Sequence, residues 1–203
     1  MSIYDYKTIK KTMSKQLDAK RYAHTIGVAY TASSLAMRYG ADIEKAYLAG
    51  LLHDCAKCID TDEKLALCKK YKVKLTPFEV ENPFLIHAKL GSCLAEKKYG
   101  IEDPEILSAI RYHTTGKPEM SLMEKIVFSA DYIEPGRKII PGLEEIRKII
   151  FIDFDQAVCL ILEGTIRHLK NKEQPIDGLS MEAYEYYCRL TKQGVSGYEK
   201  NEI

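Results

Sequence analysis

Neither sign of charge is in excess in this 203-residue chain. Thirty lysines and arginines face twenty-nine aspartates and glutamates, for a formal net charge of +1. That balance excludes a protein that coats nucleic acid through bulk positive charge. Any polyanionic ligand must instead be held by a local cluster or by metal ions. Long hydrophobic runs are also missing, and no apolar stretch approaches the ~20 residues of a membrane-spanning helix. The N-terminus, Met1-Ser-Ile-Tyr-Asp-Tyr-Lys7, lacks the apolar core of a secretion signal, so the expectation is a soluble, cytoplasmic protein with neither membrane nor nucleic acid as partner. Tryptophan is absent, and fourteen tyrosines carry most of the aromatic content. They are expected to fill and edge the packing, Tyr184, Tyr186 and Tyr187 included. Only six cysteines occur, at 55, 58, 68, 93, 159 and 188. In a chain of this length without an export signal they are expected to be reduced. Cys55-x-x-Cys58 has no second CxxC at zinc-site spacing and no preceding strand, so it reads as two ordinary thiols near a helix end.

What is present is a hydrophobic content of 46%, enough to fill a core without disulfide or metal staples. Its spacing is helical. Ile26, Ala29, Tyr30, Ser33, Ala36 and Met37 recur at intervals of three and four, as do Ile43, Ala46, Tyr47, Gly50 and Leu51. Start signals agree: Asp42 before Ile43, Thr61 before Asp62-Glu63, Thr76-Pro77 and Asp103-Pro104. Gly40, Gly100 and Gly116 are placed as C-caps. The pattern predicts helices near 4–18, 20–39, 42–56, 61–71, 76–81, 84–98, 103–114, 120–133, 142–150, 154–170 and 180–193. Val127-Phe128 is β-prone but lies within a helical pattern, and 171–179 reads as a loop. The expectation is an all-α, single-domain bundle. Its N-terminal helix covers 1–19, a core 20–140, C-terminal helices of the same domain 141–193, and a flexible tail 194–203.

Histidine is scarce, five in all, and four sit in apolar settings on separate predicted helices. His53 and Asp54 end a helix that is apolar through Leu48, Ala49, Leu51 and Leu52. His24, His87, His113 and Asp131 are likewise isolated among apolar or small residues, while His168 reads as a surface residue near a helix C-terminus. One such residue alone is ordinarily a hydrogen-bonded core or surface group. Four histidines and two aspartates are costly to bury unless they converge, because an unpartnered buried polar group costs about 1–3 kcal/mol. Helical bundles build metal sites from side chains on facing helices in this way.

The order His24, His53-Asp54, Asp131 resembles the H…HD…D signature of the HD-domain metal-dependent phosphohydrolases. Five words bring the likeness closer to the YqeK family: Arg21-Tyr-Ala-His-Thr25, Ala49-Gly-Leu-Leu-His-Asp-Cys-Ala-Lys57, His87-Ala-Lys-Leu-Gly91, Ile110-Arg-Tyr-His-Thr-Thr-Gly116 and Ser129-Ala-Asp-Tyr-Ile-Glu-Pro-Gly-Arg137. The resemblance spans about residues 20–140 and implies an HD-type helical bundle. It also implies symmetrical hydrolysis of diadenosine tetraphosphate and related dinucleoside polyphosphates to two ADP- or GDP-type products, and a homodimer. One departure is the run Pro175–Tyr184, where the family has a His-Pro-containing stretch; base preference is therefore left open.

Phosphoanhydride hydrolysis is chiefly positioning and charge neutralisation. His24, His53, Asp54 and Asp131 are the candidate metal ligands. Mixed imidazole and carboxylate donors suit iron, manganese or zinc better than calcium, and the resemblance favours iron, as one or two ions. His87 and His113 either bind a second metal with Asp54 shared, or donate hydrogen bonds to phosphate. Asp54 or Asp131 is the candidate acceptor for the proton of water. Lys57, Arg137, Arg21 and Thr114 are candidate phosphate contacts, whereas Lys89 and Arg111 are expected to face solvent. Two alternatives remain open: an HD-type nucleotide phosphomonoesterase, since substrates vary within the family it resembles, and a non-catalytic metal-stabilised nucleotide-binding module.

Overall fold

The computed structural model describes residues 4–198, with side chains through Thr191. It is helical throughout, and no strand occurs among the described residues. The helices are α1 (Tyr6–Gln16), α2 (Ala19–Tyr39), α3 (Ile43–Leu52), α4 (Thr61–Lys70), α5 (Pro77–Glu81), α6 (Ile86–Tyr99), α7 (Pro104–Tyr112), α8 (Leu122–Ile133), α9 (Leu143–Ile149), α10 (Phe154–Asn171) and α11 (Gly178–Tyr198). A short 3-10 turn, Pro83–Leu85, leads into α6.

Local chemistry explains the boundaries. Asp18, Asp42 and Asp60 each cap a helix by accepting a backbone N–H three residues on. Asp60, rather than Thr61, is therefore the N-cap of α4; its carboxylate reaches Glu63 N at 2.9 Å. Thr76 and Glu79 form a reciprocal capping box before Pro77. Gly40 and Gly100 end α2 and α6 in the left-handed region, at φ 74° and 68°. The loop expected over 171–179 is shorter, since α10 reaches Asn171 and α11 begins at Gly178. Of the expected flexible tail, 194–198 continue the α11 backbone, and 199–203 lie outside the described residues.

The chain clusters into two compact units. One comprises the chain to Thr114 together with Leu122–Arg137; the other comprises Thr115–Ser121 and the chain from Lys138 onward. In the first, α2 lies against α3 and α8, α7 joins α6 to α8, and α4 lies on α6. Small buried residues on α2 (Ala29, Ala32, Ser33, Ala36) permit close approach to α3. A Cβ on Gly50 would lie 2.8 Å from Ala29 Cα, so only glycine fits that crossing. In the second unit α10 packs on α9 and α11, and the buried Tyr187 accepts the backbone N–H of Met120 at 3.1 Å. Val127 and Phe128 are buried within α8, where burial on nearly every face overrides their β-propensity. None of the six cysteines is in a disulfide.

Candidate metal centre and active site

All ten candidate site residues fall in the first unit. The close crossing of α2 and α3 sets His24 beside His53, with ring centroids 5.5 Å apart. His53 is the C-cap of α3, and α3 stops at Leu52 instead of continuing to 56. The His53 ring explains the early stop. Its Nδ1 donates to Gly50 O at 2.7 Å, occupying the carbonyl that an α-helical Asp54 N–H would use. The chain then tightens into i→i−3 turns, Cys55 N to Leu52 O and Lys57 N to Asp54 O, and this swings Asp54 and Lys57 into the same cluster.

The other two buried histidines repeat the arrangement. His87 Nδ1 bonds Phe84 O at 2.6 Å, and His113, the C-cap of α7, bonds Ile110 O at 2.7 Å. A carbonyl only accepts, so in all three rings Nδ1 carries a proton and Nε2 is the nitrogen left to face the cluster. His24 Nδ1 has a different partner, the buried carboxylate of Glu134, at 3.0 Å.

The four Nε2 atoms converge on two carboxylates. Asp54 Oδ1 lies 3.3 Å from His87 Nε2 and 3.6 Å from His113 Nε2, and Asp54 Oδ2 lies 3.3 Å from His53 Nε2. Asp131 Oδ1 lies 2.9 Å from His24 Nε2 and 4.0 Å from His53 Nε2. Two sets satisfy the spacing of a cation site, His24 with His53 and Asp131, and His53 with Asp54 and His113, each with donor atoms within 4.8 Å of one another. Among the described residues His24 Nε2, His53 Nε2 and Asp54 Oδ1 are buried without a hydrogen-bond partner. An Nε2 and a carboxylate oxygen facing each other with neither a proton nor a cation between them are repulsive, and costly in a low-dielectric interior. A bound cation relieves that cost, and imidazole with carboxylate is a donor set that transition metals fit.

Electrostatics follow from the packing. Burial opposes ionisation of Asp131, but His24, His53 and Arg137 together hold its pKa far below the usual carboxylate range. Burial likewise works against the Asp54 anion, and the neighbouring His53 and His113 overcome it, so Asp54 too stays ionised. For His53, burial alone pushes the pKa down, while the Asp54 carboxylate outweighs it and leaves the pKa raised. His87 is pushed well below its ordinary value, first by burial and then by the Lys57 ammonium.

Cations ring the cluster. Arg21 Nη1 reaches Asp54 Oδ2 at 2.9 Å and Arg137 Nη1 reaches Asp131 Oδ1 at 3.2 Å. Lys57 Nζ stands 3.2 Å from His87 Nε2, and burial lowers its pKa. Thr114 Oγ1 lies 3.1 Å from His113 Nε2 and 3.3 Å from His87 Nε2. Every candidate named from the sequence is thus brought together. Lys89, expected in solvent, is only 18% exposed and pairs with Glu79 at 2.7 Å, because α5 folds that carboxylate onto α6. Arg111 and His168 are exposed as expected. Glu134 carried no expectation of its own. Its place three residues after Asp131, just past the end of α8, sets it apart from no ordinary helix-end glutamate.

Imidazoles and carboxylates meeting from α2, the turn after α3, α6, the end of α7 and α8 of an all-helical scaffold define a helical hydrolase of the metal-dependent His-Asp type. Residues 21–136 match the HD domain family model. The chain is 42% identical to the symmetrical bis(5'-nucleosyl)-tetraphosphatase of Bacillus subtilis over 81% of this chain and 87% of that protein. It is 46% identical to the protein of the same name from Halalkalibacterium halodurans over 79% and 84% of the two chains. A crystal structure from Clostridium acetobutylicum, described as a predicted HD superfamily hydrolase involved in NAD metabolism, superposes with a TM-score of 0.88 at 38% identity, covering 93% of this chain and 99% of that one. The chain belongs to the HD-domain family, in the branch of the symmetrical bis(5'-nucleosyl)-tetraphosphatases.

Proposed function

We propose that the protein hydrolyses diadenosine tetraphosphate and related dinucleoside polyphosphates at the central anhydride, giving two nucleoside diphosphates. One observation carries this reading: four imidazole Nε2 atoms and two ionised carboxylates converge, with a cation beside each carboxylate. His24, His53, Asp54 and Asp131 would hold one metal, and Asp54, His87 and His113 a second, with Asp54 shared. Iron is the proposed metal, with manganese or zinc able to take its place. Bound there, it supplies polarisation of phosphoryl oxygen and water of lowered pKa.

The chain's own groups do the rest. Because net charge is close to zero, the tetraphosphate is recognised locally, by Arg21, Lys57 and Arg137, with the Thr114 hydroxyl as a further contact. Lys57 is attached through the turn that follows Asp54, so one local structure positions both an anion and a cation for phosphate. Asp131, 22% exposed, is the carboxylate in reach of solvent and the proposed acceptor for the proton of the attacking water. With Nδ1–H committed to a backbone carbonyl, His87 and His113 offer Nε2 to a metal, and contact phosphate through it only when a second proton is held there.

We propose further that the protein works as a homodimer, as the resemblance implies, and that it is cytoplasmic, with its balanced charge and lack of long apolar runs leaving neither nucleic acid nor membrane as partner; light scattering in solution tests the dimer. No helix among the described residues is long and apolar enough to cross a membrane. The assay for the activity is product analysis from diadenosine tetraphosphate with iron or manganese added. ADP as the sole nucleotide product is expected, and ATP with AMP would refute the symmetrical assignment.

A further inference from the structure

We infer that Glu134 is the positioning residue of the metal centre, fixing His24 in one tautomer and one orientation, and that Gly27 is glycine to admit it. The inference rests on the reading of the cluster as a metal centre. The four rings solve a common problem, which is to keep Nδ1 protonated so that Nε2 faces the cluster. His53 and His113 cap their own helices, where carbonyls lack helical partners, and His87 follows a 3-10 turn; each uses a backbone carbonyl three residues earlier. His24 lies inside α2, where the preceding carbonyls are committed to the helix. Its orienting acceptor must come from elsewhere in the fold.

Glu134 supplies it. The side chain is 3% exposed, its Oε1 is 3.0 Å from His24 Nδ1, and its Oε2 accepts the Gly136 N–H at 2.6 Å. Space is provided on the other side by Gly27, one turn after His24, where a Cβ would fall 2.5 Å from Glu134 Oε2. At Gly136 a Cβ would fall 3.0 Å from the same oxygen. A charged acceptor binds the imidazole N–H more strongly than a carbonyl does and makes Nε2 more basic. His24 is therefore the one ring whose orientation a side-chain substitution can release.

The test uses the full-length protein with two readouts. Nitrogen-15 NMR of labelled histidine in chelator-treated protein reports the His24 tautomer, and competition against a chelator reports Mn2+ affinity. The parent is expected to keep a proton on His24 Nδ1, whether or not Asp131, 2.9 Å from Nε2, holds a second one there. Glu134→Ala is expected to lose that proton or shift it to Nε2, and to weaken Mn2+ binding by about 10–100-fold. Glu134→Gln, whose single amide oxygen can accept from His24 only by turning its NH2 toward the Gly136 N–H, is expected to fall between the parent and Glu134→Ala in both readouts. Gly27→Ala, which raises helix propensity while displacing the carboxylate, is expected to weaken binding in the same direction, so the inference does not depend on Glu134→Ala folding. Parental tautomer and affinity in both Glu134→Ala and Gly27→Ala would overturn it. A parent that binds no Mn2+ would overturn the metal centre itself, a result distinguishable because the tautomer readout needs no metal.

Discussion

Replacing Asp54 by asparagine isolates what the converging acceptors cost the metal-free protein. Asp54 Oδ1 has no hydrogen-bond donor among the described residues and stands 3.3 Å from Nε2 of His87, which burial keeps neutral, and 3.6 Å from Nε2 of His113. An isosteric amide puts an N–H there, which ends the opposition and donates to His87. Relief of one buried unpaired group is worth about 1–3 kcal/mol, and a new hydrogen bond adds about 1 kcal/mol. Against this, Arg21 and Lys57 lose a neighbouring anion. Arg21 is 32% exposed and can rehydrate, so the loss is about 1–2 kcal/mol. The balance favours the metal-free variant by about 1 kcal/mol, or about 2–4 °C in Tm for a chain of this size. Such a gain is the usual sign of a site whose function strains the fold. The parent gains instead from metal, about 2.7 kcal/mol at a hundredfold excess over Kd, or about 5–11 °C. The variant lacks the carboxylate common to both proposed ligand sets and should recover less than half of that shift. Thermal unfolding followed by circular dichroism, at about pH 8 where imidazole is largely neutral, with chelator and then with Mn2+, measures both. A metal-free variant that melts below the metal-free parent, or an equal metal shift in the two, would refute the reasoning.

Metal affinity should fall on acidification through the raised pKa of His53, since a proton and a cation compete for the same Nε2. Equilibrium dialysis across the imidazole range checks this, and a flat profile would contradict it. Gly50→Ala should lower stability by about 1–3 kcal/mol, because its Cβ meets the α2 backbone and the helices must part; the urea midpoint reads the change. Thiol alkylation should label the exposed Cys58 first and Cys55 and Cys159 last, because burial pushes each of the latter two thiols up to about 12. Peptide mass spectrometry over a time course decides the order.

Much of this architecture was legible in one sequence because it rests on local chemistry. Asp42, Thr76-Pro77 and Asp103-Pro104 announce helix starts whatever the tertiary setting, and three-four spacing of small apolar residues marks the face that α2 turns to α3. Convergence of His24, His53, Asp54, His87, His113 and Asp131 was readable because six isolated polar groups in apolar settings are too costly to bury apart. The exceptions are features set by the fold. Helix α3 ends early because an imidazole takes a backbone carbonyl, an event with no propensity signature. Lys89 is half-hidden because α5 brings Glu79 to it. Glu134 stood inside a quoted motif yet showed no distinct signal, since a glutamate before proline at a helix end is ordinary until His24 is seen 110 residues away in sequence and 3.0 Å away in space.

The most direct test is anomalous diffraction from crystals of the protein loaded with iron or manganese. The account predicts anomalous density bounded by His24, His53, Asp54 and Asp131. Metal bound elsewhere, with these side chains unligated, would contradict it.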